Sequence, residues 1–150
     1  MRGDLVEQVL QQADAVCAAR GVRLTPQRRQ VLAIICRRGQ PMGAYEILEA
    51  LRQQVPGAAP PTVYRALDFL LAHGLVHRIE TLHAFVSCPH PDHPHAGQFL
   101  ICSRCGGVEE LQDATLSRLL LAAASATGFD PQRPVVEITG RCARCAGAAP

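Results

Sequence analysis

The sequence predicts an α+β fold in two modules, a helical first half closed by a β-hairpin and a smaller α/β second half. Three observations predict it. Four segments up to residue 72 repeat apolar residues at helical spacing, and two short alternating segments follow them. Beyond residue 88 the pattern changes to strand, strand, helix, strand. Two CxxC pairs, Cys102 with Cys105 and Cys142 with Cys145, bracket that second half.

The elements follow in order. Leu5, Val6, Val9, Leu10, Ala13 and Val16 form the apolar face of a first helix reaching about Arg20, and Gly21 ends it. LTPQRRQVLAIICRRG opens a second helix with Thr25 as N-cap and Pro26 in the first turn. Val31, Leu32, Ile35 and Cys36 are its buried face, and Gly39 stops it. AYEILEALRQQ is a third helix, apolar at Ile47, Leu48 and Leu51. VPGAAPP breaks the pattern, and PPTVYRALDFLLAHG is a fourth helix closed by His73 and Gly74. At about 100° per residue, Val63, Ala66, Leu67, Leu70 and Leu71 share one face. Thr62, Arg65, Asp68 and Ala72 point away, with Tyr64 on a flank. LVHRIE and LHAFVSC make a hairpin around Thr81.

Short helices followed by a hairpin make a winged helix-turn-helix. The helix at 61–72 is the one offered to a major groove, and the hairpin is the wing. Arg65 suits bidentate contact with guanine, and Tyr64 suits a phosphate or a thymine methyl. A surface arginine alone says little; the winged pattern around it gives Arg65 its weight. In the second half, FLICSRCGGVEEL sets a strand on each side of a CxxC knuckle. ATLSRLLLAAASATG is a helix with Leu116, Leu119, Leu120 and Ala123 expected inward, PVVEIT is a strand, and CARC follows.

Composition narrows the function classes. With no Trp and only four Phe and two Tyr, the core must be aliphatic. MRGDLVEQVLQQAD lacks the basic-then-apolar layout of a signal peptide, and no apolar run approaches the roughly 18 residues of a membrane span. A cytoplasmic protein without a membrane partner is expected, where thiols stay reduced. Seven cysteines then point to metal before disulfides. Residues 1–80 hold ten arginines against seven acids, the rest five against six, a modest lean toward a nucleic-acid partner in the first half. No zinc-deaminase signature, nucleophile elbow, P-loop or dinucleotide fingerprint is present, so no enzyme and no small organic ligand are expected.

Two residues between ligands let one turn present both thiolates to a tetrahedral ion. Cys102, Cys105, Cys142 and Cys145 therefore predict one closed, structural zinc site. Either CxxC alone would read as a disulfide or a redox pair; two in one chain favour zinc. A second constellation surrounds VSCPHPDHPHAGQ, residues 86–98, which cannot be a helix. Cys88 and a loop histidine need further ligands. His77, on the first wing strand, and Glu110, after the knuckle, would complete a set of two nitrogens, one sulfur and one oxygen. Singly, His77 reads as a surface histidine and Glu110 as a solvated carboxylate. The residues alone do not choose among His90, His93 and His95.

RLTPQRRQVL, PPTVYRALDFLLAHGLVHRIE, and FLICSRCGGVEEL paired with the terminal CARC resemble the ferric uptake regulator family, most closely its zinc-sensing branch. The resemblance covers nearly the whole chain. It implies a homodimeric repressor: a winged-helix DNA-binding domain at 1–82, a hinge at 83–88 and an α/β dimerisation domain at 89–150. It implies that Cys102, Cys105, Cys142 and Cys145 hold the structural zinc. It implies that His77, Cys88, His95 and Glu110 hold a regulatory zinc, His95 being chosen because it stands seven residues before Cys102. Two zinc ions per monomer follow. Tyr64 and Arg65 match the base-contacting pair and Tyr45 a further DNA-facing tyrosine. Glu49 and Arg52 fall where some relatives pair neighbouring dimers on DNA. A thiolate in the regulatory set suits Zn(II) over Fe(II) or Mn(II). The expected function is zinc-dependent repression at palindromic operators in zinc homeostasis. The alternatives are an iron- or redox-responsive member of the same family, or a zinc-ribbon interaction module.

Overall fold

The computed structural model describes residues 2–92 and 97–147. It divides into two compact units, Met1–Pro94 and His95–Pro150. The second strand of the hairpin therefore belongs with the helices of the first unit, not with the strands of the second.

In the first unit, α1 (Arg2–Ala19), α2 (Pro26–Arg38), α3 (Ala44–Arg52) and α4 (Pro60–Ala72) precede β1 (Val76–Ile79) and β2 (Ala84–Ser87). The caps follow local chemistry. Thr25 accepts from the backbone N–H of Arg28, with Pro26 at the first helical position. Gly39 ends α2 at φ 66°, and its N–H returns to the Ile35 carbonyl. Gly74, at φ 68°, turns the chain from α4 into β1.

Helix α2 is the hub. Val31, Leu32, Ala33, Ile34 and Ile35 are all buried, because α1, α3, α4 and β2 pack around it. Cys36, expected in the buried face, is only half-buried; Ala33 and Ile34 fill that role in a helix enclosed on more than one side. Helix α4 buries Val63, Ala66, Leu67 and Leu70, as its spacing predicts, while Leu71 is half-buried. Strands β1 and β2 pair antiparallel, His77 opposite Val86. Met42, between α2 and α3, exchanges both backbone hydrogen bonds with Phe85, at 3.0 and 2.8 Å, and so broadens the wing.

The second unit holds β3 (Gln98–Cys102), β4 (Val108–Glu110), α5 (Ala114–Ser125), β5 (Val136–Gly140) and α6 (Ala143–Ala146). The sheet order is β4-β3-β5, antiparallel on one side and parallel on the other. The buried Gln98 side chain bonds the Asp113 carbonyl and the Ser117 hydroxyl, at 3.1 and 2.6 Å, which holds the start of α5 to β3. The expected inward face of α5 is wrong. Leu119 and Leu120 are exposed and so is Ala123, while Leu116 is half-buried. The helix is apolar nearly all round, so periodicity could not select the face that meets the sheet. No helix is long and apolar enough to cross a membrane among the described residues.

Candidate functional site

The second unit gathers the two CxxC pairs by register. Parallel pairing of β3 with β5 sets Cys102 opposite Gly140, so the two strands end side by side. Beyond them, Ser103 bonds the Gly140 carbonyl through both its N–H and its hydroxyl, at 2.7 and 3.0 Å. The knuckle after β3 closes with the Gly106 N–H on the Cys102 carbonyl and the Cys102 N–H on the Gly107 carbonyl. The sequence reading passes over both glycines, although GG directly after a CxxC carries the signal. Gly106 sits at φ 73°, and a Cβ on Gly107 would stand 3.3 Å from the Cys105 sulfur.

The outcome is that ligand atoms of Cys102, Cys105, Cys142 and Cys145 all lie within 4.8 Å of one another. The Cys105 and Cys142 sulfurs are 3.9 Å apart. A tetrahedron with Zn–S bonds of about 2.3 Å has an edge of about 3.8 Å, so this spacing fits one tetrahedral ion. The Cys102 sulfur accepts backbone N–H groups from Cys105 and Cys142, at 3.5 and 3.4 Å. Those donors, Cys105 first and then Cys142, lower its pKa to about 5. Cys142 is likewise lowered, chiefly by the backbone N–H of Cys145. Cys145 is pushed up to about 12, first by its hydrogen bond to Cys142 and then by burial. Four sulfurs this close cannot all ionise beside one another. A divalent cation among them removes that conflict, which is the chemical sense in which the set fits zinc.

The first unit places two of the other predicted ligands together. The Cys88 N–H bonds the Leu75 carbonyl at 3.0 Å, one step beyond the Val76–Ser87 pair. Side chains opposite each other in a ladder share a face, as do residues two apart in a strand. Cys88 and His77 therefore share a face, and their ligand atoms lie within 4.8 Å of one another. Cys88 is buried and His77 half-buried. Glu110 is the last residue of β4 in the second unit. His93 and His95 lie outside the described residues; His90 is exposed.

The predicted DNA-facing residues are displayed on the first unit. Tyr64 is 55% exposed on a flank of α4, and Arg65 beside it is exposed on the side opposite Val63 and Leu67. Tyr45, in the first turn of α3, is 73% exposed. Large aromatic side chains this exposed gain little from folding. Arg52 bonds Glu49 at 3.3 Å and the Ala58 carbonyl at 3.0 Å. That arginine braces the segment leading into α4 from within its own chain.

The chain is 41% identical over 146 residues to the zinc uptake regulation protein of Escherichia coli (strain K12), covering 97% of this chain and 85% of that protein. It is similar in structure to a zinc uptake regulator complexed with zinc and DNA. The TM-score is 0.90 at 42% identity, over 94% of this chain and 95% of that one. It is also similar to the crystal structure of holo XcZur, with a TM-score of 0.87 at 47% identity, over 93% and 97% of the two chains. The sequence profile described as the ferric uptake regulator family matches residues 19–139. With a match across most of its length and a fold shared throughout, the chain belongs to the ferric uptake regulator family.

Proposed function

We propose that this chain is a zinc-responsive transcriptional repressor that binds palindromic operator DNA in the cytoplasm as a homodimer. The observation that carries the reading is the imidazole and thiol of His77 and Cys88 on one face of the wing, separate from the four-cysteine cluster. Two ligands do not hold an ion. His95 and Glu110, both of the second unit, complete the set, for two zinc ions per monomer. Bound zinc supplies Lewis-acid cross-linking of thiolate, imidazole and carboxylate, with no redox step.

The chain's own residues do the rest. His77 and Cys88 are built into the hairpin, which joins α4 through Gly74 and Leu75. Holding this pair in one ligand set with His95 and Glu110 restricts the angle at which α4 is presented. Two copies of α4 must reach two half-sites together. A restricted angle therefore raises the population able to bind, and operator DNA must raise zinc affinity by the same factor. Tyr64 and Arg65 face the bases, and Tyr45 is a further DNA-facing residue. Cys102, Cys105, Cys142 and Cys145 hold the second unit together whether or not the regulatory set is filled.

The homodimer is supported by the second unit's surface. Leu119, Phe129, Val135 and Ile138 are more than half exposed, and β5 is an edge strand. Apolar surface and an open edge of that kind suit burial against a second copy. The similar proteins support the metal and the nucleic acid, being a zinc uptake regulation protein and a zinc uptake regulator complexed with zinc and DNA. The test is binding to an operator duplex at buffered free metal. Zinc should switch binding on where Fe(II) and Mn(II) at physiological levels do not; the reverse order overturns zinc as the sensed metal.

A further inference from the structure

Arg20 plays no part in the sites above, yet its guanidinium joins two segments that both matter to them. Gly21, at φ 70°, turns the chain just beyond it, and the Val22 N–H closes the cap on the Cys17 carbonyl at 3.0 Å. Val16 and Cys17 are buried, so this end of α1 is fixed. From there one guanidinium nitrogen donates to the His73 carbonyl at 2.6 Å. The other terminal nitrogen donates to the Pro91 carbonyl at 3.3 Å.

His73 is the C-cap of α4. Its carbonyl is at the negative end of the helix, where a fixed cation is favoured. Pro91 is buried and stands three residues after Cys88. Helix α4 is further held at this end, with the Arg28 guanidinium 3.8 Å from the centre of the Phe69 ring and the His73 ring 4.5 Å from it. The donors of a guanidinium sit in a rigid planar fork, so the carbonyls they bind keep a set spacing.

We propose that Arg20 is a positioning residue that ties the end of the DNA-reading helix to the metal-ligand loop and so transmits part of the zinc response. The proposal rests on the reading of His77, Cys88, His95 and Glu110 as the zinc-responsive set. Coupling between sites travels through networks of this sort only when both ends bias one arrangement. Here the loop that carries Cys88 and the helix that carries Tyr64 and Arg65 share a single cation.

The experiment compares the full-length wild type, Arg20→Gln and Arg20→Lys. Operator affinity is measured at saturating zinc and at free zinc low enough to leave only the four-cysteine cluster loaded. Zinc stoichiometry and melting temperature are read on the same samples. Arg20 is exposed, so the variants should fold. Arg20→Gln should weaken zinc-loaded binding roughly two- to tenfold, leave low-zinc binding unchanged, and so narrow the ratio between the two states. Arg20→Lys, with one ammonium in place of a fork, should restore only part of it. Equal weakening in both states, with lysine equivalent to wild type, would mean a phosphate contact and would overturn the proposal. A lower melting temperature with a wild-type affinity ratio would mean capping alone and would also overturn it. A wild type with no zinc dependence would instead defeat the repressor reading on which the proposal stands.

Discussion

The first unit buries Leu32, Ile35, Ile47, Leu51, Leu67 and Leu70 almost completely, and its core runs from α1 to the wing. The second unit buries only Phe99, Ile101, Cys102 and the polar Gln98 among its described residues, and α5 buries none. The two units are therefore stabilised by different means. Full burial of a leucine side chain contributes about 1.5–3 kcal/mol, so the first unit has ample aliphatic burial to stabilise it. The second has little apolar core among its described residues, and it brings four sulfurs to one point instead. On the proposed reading, the unit that reads DNA is rigid in itself, while the unit that pairs depends on metal.

The sharpest way to break that contrast is Cys102→Ser. Structural zinc binds with about 10–16 kcal/mol of apparent free energy, comparable to the whole stability of a domain. The variant should lose the structure of the second unit and the dimer, read by circular dichroism and sedimentation, with the first unit still folded. Next in size is Leu67→Ala. It should cost about 2–5 kcal/mol of first-unit stability, by the same amount with and without chelator in urea titrations. Cys88→Ser should be smaller in energy but larger in function. It should leave a folded dimer and remove about 1–3 kcal/mol of zinc-linked operator affinity. If Cys88→Ser and Cys102→Ser behave alike, the division of labour between the two cysteine sets fails. Thr25→Ala should cost about 1 kcal/mol through the lost cap of α2, seen in the melting of the first unit alone.

Legibility from sequence divides along the same boundary. In the first unit the signals are local: Thr25 and Pro26 start α2, Gly39 stops it, and the spacing from Val63 to Leu70 marks the buried face of α4. The CxxC pairs are local too, and their convergence is read from chemistry. The pairing that brings them together is not local. The parallel register of Cys102 with Gly140 spans the whole helix α5 and leaves no periodic mark. The outward placement of Leu119 and Leu120 escapes the sequence because the surface that would orient an apolar helix is not adjacent in the chain. Arg20 is invisible for a related reason, since a lone arginine after a helix gives no sign of carbonyls 53 and 71 positions away.

If two zinc populations do different work, graded removal of metal will separate them. Zinc per monomer, operator affinity and dimer content should be followed together as a chelator of increasing strength is added. Operator affinity should fall with loss of the first equivalent while a folded dimer retains the second. Unchanged affinity after the first equivalent leaves, or simultaneous loss of both equivalents with the fold, would mean that the two sites do not divide these roles.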